Sequence, residues 1–382
     1  MALSGKAAAY DQDLMRDMKI AQERHGASLT KQVMDFLALR SAGTGLTFEE
    51  YLFFELYNRP RAEYGSFMGD DRARAAFFLA NELDDWNVAE DKIHFAEAMQ
   101  RAGLSSPKTL AVVHRDRTLE GVPSFHSPED IEVFLASCAL PVFGKPAIAS
   151  HGDGAVKIVA RDGDRLTADS GEAFTGAELA AEISVYVEDD GYLFQEALDP
   201  HPAIAEITGG RIASLRLVAM LGPEGVDIRF GVLRLPAGDN RVDNFRRKGN
   251  LIAAIDCETG VAGGARRGFG VGAETMSAHP DTGAAIEGVV LPDFERAKSV
   301  VAKAAAQFPT LHLQSWDVAL ATTGPSLLEV NPGGNFNILQ LALGRGVFDP
   351  EFRRFLEWRL QENPNARVNP KALKEAKKLF RF

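Results

Sequence analysis

The sequence predicts an α+β protein of several domains, in which a helical region precedes regions of mixed strands and helices. Three observations predict this class. Apolar residues recur at helical spacing in the first 88 residues, strands and helices alternate from residue 92 onwards, and residues 211–254 contain aliphatic runs separated by Gly, Pro and Asp. At 382 residues, the chain is long enough for two or three domains.

The composition excludes several classes of protein. With 46% hydrophobic and 25% charged residues, the chain is neither disordered throughout nor collagen-like. A net charge of -11 argues against a protein that coats nucleic acid, although a local basic pocket can still bind phosphate. The two cysteines, Cys138 and Cys257, are too few for a zinc ribbon or a disulfide scaffold. They predict small buried thiols in a reduced, cytoplasmic protein.

The N-terminal region, predicted over residues 1–88, is helical. Residues 29–40 carry apolar side chains at helical spacing, and Thr47 with Glu50 forms a capping box that opens a second helix. We expect that helix to end at Pro60. Its many aromatic side chains favour packing in the core or between domains over binding of a ligand.

Four regions are expected to follow the N-terminal one. A strand near residues 108–114 precedes a helix capped by Ser127, and further strands and a short helix follow up to residue 196. The predicted boundaries are 89–140 for a first α/β region, 141–197 for a small lobe, 198–350 for a large lobe and 351–382 for a helical tail.

Both ends of the chain bear on membrane attachment. No apolar run is long enough to span a membrane, and the first residues do not have the pattern of a signal peptide. We therefore expect neither a membrane-spanning helix nor a signal peptide. Residues 371–382 are basic and amphipathic, with Leu373, Leu379, Phe380 and Phe382 on the apolar side. This pattern favours a helix that packs on the body of the protein, and weak contact with an anionic membrane surface is the alternative.

Two carboxylates mark the first candidate site. If the segment ATTGP is a hairpin turn, Asp317 and Glu329 lie opposite one another on apolar strands, with Leu327 and Asn331 on the face of Glu329. The two carboxylates would repel each other unless a cation lay between them, and oxygen ligands of this kind suit Mg²⁺. Exposed carboxylates paired with nearby arginines are an equally good interpretation.

A lysine followed by a glycine-rich loop marks the second candidate site. Lys145 ends an apolar strand, and the loop that follows contains Ser150, His151, Gly152 and Gly154. Backbone N–H groups and a point charge are a usual way to bind polyphosphate. The order of residues fits neither a Walker A loop nor a Rossmann fingerprint. A surface hairpin with a single lysine is the alternative.

Cationic residues inside strands mark the third candidate site. Arg216 and Arg234 are each flanked by aliphatic residues, and Asp243, Asn244 and Lys248 follow. A buried arginine needs an anionic partner, which is either a neighbouring acid or a bound ligand.

In this order, the motifs resemble those of the ATP-grasp ligases, and within them the sugar-transfer-associated (α-L-glutamate-ligase-related) ATP-grasp proteins. The segments FGKPAIASHGDG, YLFQEALDPHP, SLRLVAML and QSWDVALATTGPSLLEVNPGGNF carry the resemblance, which spans about residues 30–350. It implies an ATP-grasp fold, with two α/β lobes clamping ATP and an N-terminal helical extension. The chain departs from the family pattern at Lys248 and Asn250, where the family has paired glycines, and this departure concerns the substrate pocket.

The resemblance also implies roles for individual residues. ATP would contact Lys92, Lys145, Ser150, His151, Gly152, Gly154, Asp243 and Asn244, with the adenine at Gln195, Glu196 and Leu198. The implied ligands of Mg²⁺ are Asp317, Glu329 and Asn331. The implied catalytic residues are Arg216, Arg234 and Lys248.

The activity that the resemblance implies is ligation of a small carboxylate to a small amine. ATP would phosphorylate the carboxylate, and the amine would displace phosphate from the acyl phosphate. Two alternatives remain: a kinase that uses the same nucleotide site, and a non-catalytic nucleotide-binding scaffold in polysaccharide or cell-envelope assembly. The sequence identifies neither substrate, nor the oligomeric state.

Overall fold

The computed structural model describes residues 13–41, 43–82, 89–149, 153–362 and 369–382. These residues form helices and two seven-stranded sheets, named sheet 1 and sheet 2 in chain order. None of the helices in the described ranges is long and apolar enough to cross a membrane.

The N-terminal region is helical, as predicted. Its helices are α1 (Leu14–His25), α2 (Leu29–Ser41), α3 (Phe48–Phe53) and α4 (Asp70–Ala80). The capping box is present: Thr47 accepts a hydrogen bond from the backbone of Glu50, whose side chain accepts one from the backbone of Thr47. The prediction that α3 continues to Pro60 is wrong. Glu55 has a left-handed φ of 53°, which interrupts the helix.

Packing of adjacent aromatic rings explains the early end of α3. Phe53 stacks on Phe269 at 5.4 Å between ring centroids, whereas Phe54 packs on Phe67, also at 5.4 Å. These two partners lie far apart in the sequence. Tertiary contacts of consecutive side chains thus override the helical pattern.

Sheet 1 has the strand order β2-β1-β7-β3-β4-β5-β6, and its pairs are antiparallel except for β1 with β2. Its strands are β1 (Thr109–Val113), β2 (Ser124–Phe125), β3 (Val142–Pro146), β4 (Val156–Asp162), β5 (Arg165–Ala168), β6 (Ala173–Thr175) and β7 (Tyr192–Glu196). The accompanying helices are α5 (Lys92–Ala102), α6 (Pro128–Ser137) and α7 (Gly176–Ile183). Ser127 caps α6 as predicted, by accepting a hydrogen bond from the backbone of Asp130.

Sheet 2 has the order β12-β11-β10-β9-β8-β13-β14 and is antiparallel throughout. Its strands are β8 (Ser214–Gly222), β9 (Gly225–Leu235), β10 (Leu251–Ile255), β11 (Ala262–Arg267), β12 (Glu274–Met276), β13 (Leu313–Ala321) and β14 (Gly324–Pro332). The helices of this part are α8 (Pro202–Thr208), α9 (Phe294–Ala305), α10 (Phe336–Leu343), α11 (Pro350–Glu362) and α12 (Pro370–Phe380).

The two faces of sheet 2 carry different side chains. On one face, Leu215, Trp316 and Val318 pack in a core with α9. On the other face, Val218 and Phe230 pack in a second core that includes residues of α4, α10 and α11. This second face changes from apolar to polar along the strands, and the polar part forms the candidate site.

The C-terminal helix α12 packs on the body of the protein. Phe380 is buried in the second core, and its carbonyl accepts a hydrogen bond from Arg353. The lysines of α12 are exposed. Packing of the apolar side, rather than its exposure, is therefore the correct interpretation of this segment.

Candidate functional site

Cross-strand register brings four polar side chains together at one end of sheet 2. Arg216 of β8 lies directly opposite Asp317 of β13, and Ser214 lies directly opposite Arg234 of β9. Side chains of strands alternate between faces, so these four share the face that carries Val218. The strands thus place two arginines and a carboxylate inside the protein.

Asp317 is the centre of this cluster and is only 3% exposed. Arg216 donates from Nε to Oδ1 and from Nη2 to Oδ2, each at 2.8 Å, and Arg234 donates from Nη2 to Oδ2 at 2.8 Å. Burial raises the pKa of Asp317, but the charges of Arg216 and Arg234 outweigh it and hold the pKa well below its usual range. The buried carboxylate is therefore ionised.

Arg234 links Asp317 to a second carboxylate. Its Nε and Nη2 donate to Ser214 Oγ at 3.0 and 2.6 Å, and Ser214 donates to Asp243. Arg234 also lies 3.7 Å from Asp243. Burial lowers the pKa of Arg234, but the negative charges of Asp243 and Asp317 outweigh burial and raise the pKa above its usual value. Arg234 is therefore protonated. Arg216 and Arg234 therefore pair with neighbouring acids, as in the first of the two interpretations given for these arginines.

The hairpin of β13 and β14 places Glu329 directly opposite Asp317, as predicted. The prediction that Leu327 shares the face of Glu329 is wrong. A β-bulge pairs Leu327 with Val318, so Leu327 points into the core with α9. Asn331 lies on the face of Glu329 and donates to its Oε1 at 3.3 Å.

The oxygen atoms of this hairpin fit Mg²⁺ in one particular way. Within the described ranges, no group of three or more His, Cys, Asp or Glu side chains forms a metal cage. Both oxygens of Asp317 already accept from arginines, which leaves Glu329 and Asn331 as the more open donors. Mg²⁺ typically binds to one or two carboxylates and completes its shell with water and substrate phosphate. The oxygen atoms of Glu329 and Asn331 therefore fit an Mg²⁺ ion that also binds a phosphate group of a ligand.

Two lysines outside sheet 2 lie near each other, and one of them is influenced by the charge of Glu329. Burial and the positive charge of Lys92 lower the pKa of Lys145 to about 8, and the negative charge of Glu329 acts in the opposite direction. Lys92, at the start of α5, donates from Nζ to the carbonyl of Ala149 at 2.9 Å. Lys145 of sheet 1 is thus close enough to Glu329 of sheet 2 for their charges to interact.

The predicted phosphate loop is only partly described. Ser150, His151 and Gly152 lie outside the described residues. Gly154, at the far end of the loop, has a φ of 74°, and a Cβ there would lie 2.7 Å from the ring of Pro146. Tyr192 donates to its carbonyl at 3.1 Å. Only glycine fits this position without a shift of its neighbours.

The predicted adenine hinge lies at the end of β7. Gln195 is buried and donates to the carbonyl of Pro107 at 3.4 Å and to Thr109 Oγ1 at 3.2 Å. Glu196 accepts from the backbone of Lys108 at 3.0 Å. Both side chains therefore join β7 to the start of β1, and Leu198 is half-buried.

The loop 236–250 between β9 and β10 forms one wall of the polar cluster, because its Asp243 reaches Ser214. Buried Asn250 accepts from the backbone of Ala237 and donates to the carbonyls of Val242 and Asn244, which fixes the loop. Lys248 is exposed, so its side chain does not join the buried cluster.

Ser214 and the positioning role of Asn250 were missed by the sequence analysis. Asn250 was noted there only as a departure from paired glycines. The sequence could have indicated Ser214, because it lies two residues before Arg216 and residues two apart on a strand share a face.

Comparison with protein families gives one match. The family described as sugar-transfer associated ATP-grasp matches residues 76–353. No curated protein matches the chain.

Solved structures resemble the chain at low identity. An L-amino acid ligase from Bacillus licheniformis is 13% identical, with 68% of this chain and 48% of that chain covered and a TM-score of 0.36. A biotin carboxylase–β-γ-ATP complex from Campylobacter jejuni is 11% identical, with 72% and 50% covered and a TM-score of 0.41. VanG D-Ala:D-Ser ligase from Enterococcus faecalis is 15% identical, with 72% and 61% covered and a TM-score of 0.37. The chain spans about half the length of the first solved structures that it matches.

Proposed function

The chain belongs to the sugar-transfer associated ATP-grasp family, and from this premise we propose that it is an ATP-dependent carboxylate–amine ligase. Its substrates would be a small carboxylic acid, a small amine and ATP with Mg²⁺. The products would be an amide, ADP and phosphate.

The observation that carries this proposal is the meeting of opposite charges between the two sheets. Lys145 and Lys92 provide positive charge on one side, and Glu329 and Asn331 provide oxygen donors on the other. ATP carries negative phosphates and binds together with a divalent cation, so it needs both sides at once. A site for a neutral substrate would not need a desolvated lysine beside a second lysine.

The residues present would divide the work of nucleotide binding. Lys145 and Lys92 neutralise phosphate charge, and the end of β7 at Glu196 and Leu198 borders the adenine. Glu329 and Asn331 would hold Mg²⁺, with Asp317 sharing its oxygens between the ion and the arginines. When bound, Mg²⁺ supplies charge neutralisation at the phosphates and orients them.

Reaction would proceed in two displacements. A carboxylate oxygen of the acid attacks the γ-phosphorus, the bond to the β–γ bridging oxygen breaks, and ADP leaves. The amine then attacks the carbonyl carbon of the acyl phosphate, loses a proton and expels inorganic phosphate. Arg216 and Arg234, held by Asp317 and Asp243, would direct fixed N–H donors toward the transferred group. Lys248 would orient the entering acid from the exposed part of the loop 236–250.

Exclusion of water protects the acyl phosphate from hydrolysis. The family resemblance implies that the segment with Ser150, His151 and Gly152, which begins five residues after Lys145 in the sequence, covers the phosphates. Asp243 and Asn244 would border them from the side of sheet 2. A cytoplasmic location is consistent with ATP as substrate and with the two free thiols of Cys138 and Cys257.

The test is release of phosphate from Mg-ATP in the presence of pairs of acids and amines, with the organic product identified by mass spectrometry. A ligase gives phosphate release that needs both substrates, together with an amide, and Glu329→Gln abolishes it. A phosphorylated product without free phosphate would contradict the proposal in favour of a kinase. Nucleotide binding without turnover of any pair would favour a scaffold.

A further inference from the structure

Arg247, in the loop 236–250, has two guanidinium nitrogens with no acceptor among the residues that the structure describes. Its Nε and Nη2 are buried and donate to no acceptor within the described parts of the chain. Arg229 and Arg266 also have a buried Nε without an acceptor, but both pair with carboxylates through Nη2. Arg247 forms no such pair among the described residues. Because desolvation of a guanidinium is costly, its position implies an anion that binds there.

The loop holds Arg247 on the face of sheet 2 that carries the candidate site. The loop leaves β9 one residue after Leu235, whose neighbour Arg234 binds Asp317. Phe245 packs edge-on against Phe269 at 4.7 Å and belongs to the second core. Because that core lies on the face of Arg234, the loop folds back over this face.

The backbone around Arg247 is fixed by hydrogen bonds. Its N–H donates to the carbonyl of Asn244 at 2.9 Å, and its carbonyl accepts from the N–H of Asn250 at 3.2 Å. Asn250 in turn binds the loop at Ala237 and Val242. The guanidinium is therefore presented from a rigid turn, so little conformational entropy is lost when a ligand binds.

Among the described residues, Arg247 is a partly buried cation of this face that pairs with no carboxylate. Asp317 pairs with Arg216 and Arg234, and Asp243 lies beside Arg234, so these four charges balance. The proposed nucleotide occupies Lys92 and Lys145. Nε and Nη2 of a guanidinium form a fork that matches the two oxygens of a carboxylate or phosphate.

We propose that Arg247 binds an oxyanion of the acid substrate, either a carboxylate or a phosphate group. This inference rests on the proposed ligase function, and it makes Arg247 a substrate-binding residue distinct from the nucleotide site.

The test compares Arg247→Gln with Arg246→Gln, an exposed arginine that precedes it on the same loop. The probes are citrate and inorganic phosphate, titrated calorimetrically into nucleotide-free protein and into protein saturated with a non-hydrolysable ATP analogue and Mg²⁺. We expect wild type and Arg246→Gln to bind one of the probes, and Arg247→Gln to bind it at least about tenfold more weakly. Preference for citrate identifies a carboxylate, and preference for phosphate identifies a phosphorylated acid.

Two further measurements separate this role from a structural one. The urea midpoint of Arg247→Gln should not fall below that of Arg246→Gln, because the substitution removes a guanidinium whose Nε and Nη2 are buried without an acceptor. Its affinity for the ATP analogue should equal that of wild type. Arg247→Lys, which keeps the charge but loses the fork, should bind the probe with intermediate affinity.

Several results would overturn the inference. They are failure of wild type to bind either probe, equal binding by Arg247→Gln and wild type, a lowered urea midpoint, or a loss confined to the ATP analogue. Failure of wild type to bind the ATP analogue would instead contradict the proposed function, and the titrations of nucleotide-free protein distinguish the two cases.

Discussion

The two sheets carry their site residues in different electrostatic states. In sheet 2, Asp317 pairs with Arg216 and Arg234, and the charges compensate one another. In sheet 1, Lys145 lies near another lysine, and its pKa is lowered to about 8. The comparison indicates that the charges of sheet 2 are paired in the absence of a ligand, whereas Lys145 of sheet 1 lies beside Lys92 and has its positive charge offset only in part by Glu329.

Burial explains why this difference is possible. Each residue of β13 is buried, while β3 of sheet 1, which carries Lys145, alternates between buried and partly exposed positions. An ion pair inside sheet 2 is thus protected from water, and loss of one partner leaves the other buried and unpaired. Lys145 lies at one of the partly exposed positions, and the charge of Glu329 offsets part of its own charge when no ligand is bound.

The largest effect is expected when Asp317 is removed. Asp317→Ala leaves two buried guanidinium groups without their shared acceptor, and the free energy of unfolding should fall by about 3–5 kcal/mol. Urea denaturation followed by circular dichroism measures this change. Thr323→Ala, in the exposed turn of the same hairpin, is the control and should change stability by less than about 0.5 kcal/mol. A loss below about 1 kcal/mol in Asp317→Ala would mean that sheet 2 is not assembled by this carboxylate.

Removal of the Ser214 hydroxyl should have a smaller effect. Ser214→Ala takes away the acceptor of Arg234 Nε and a donor to Asp243, which should lower the free energy of unfolding by about 1–3 kcal/mol. The same denaturation experiment measures it. Ser214→Thr keeps the hydroxyl and should recover part of the loss; no difference between the two variants would show that packing rather than hydrogen bonding is responsible.

The pH dependence of nucleotide binding tests sheet 1. Phosphate favours the protonated form of Lys145, which is present below its pKa of about 8 and is lost as the pH rises through that value. Affinity for an ATP analogue should therefore fall above about pH 8, by up to about tenfold (about 1.4 kcal/mol) per pH unit. Calorimetry between about pH 6.5 and 9.5 measures this slope.

Lys145→Arg is the matched variant for the pH experiment, because a guanidinium stays protonated over this range. Its affinity should vary much less with pH than that of wild type. Equal slopes in the two proteins would assign the titration to another group.

The sequence predicts the local parts of this architecture better than the long-range ones. The opposition of Asp317 and Glu329 follows from one hairpin, so the length of the turn was sufficient to predict it. The β-bulge turns Leu327 away from the face of Glu329 and into the core with α9. It depends on packing against that core, which the alternation of residues along the strand does not reveal. Pairing of Arg216 with Asp317 depends on strands about one hundred residues apart, and the sequence alone left both an acid partner and a ligand partner open.

Helix α2 also shows that the sequence pattern predicts local structure better than packing. Its helical pattern was correct, but Val33 and Leu37 are exposed, while Gln32 and Asp35 are buried. Asp35 accepts from Lys31, and Gln32 donates to backbone carbonyls. Apolar periodicity predicts that a helix forms, but specific polar partners decide which face of this helix is buried.

The central claim is that Mg-ATP binds between the two sheets, and calorimetry of a non-hydrolysable ATP analogue with Mg²⁺ tests it most directly. The proteins are wild type, Lys145→Ala and Glu329→Ala, with Lys303→Ala and Glu224→Ala as exposed controls of the same charge. We predict micromolar binding by wild type and both controls, weakened about tenfold or more, roughly 1.4 kcal/mol, in each site variant. Absence of binding in wild type, or equal binding by all five proteins, would contradict a nucleotide site at this position.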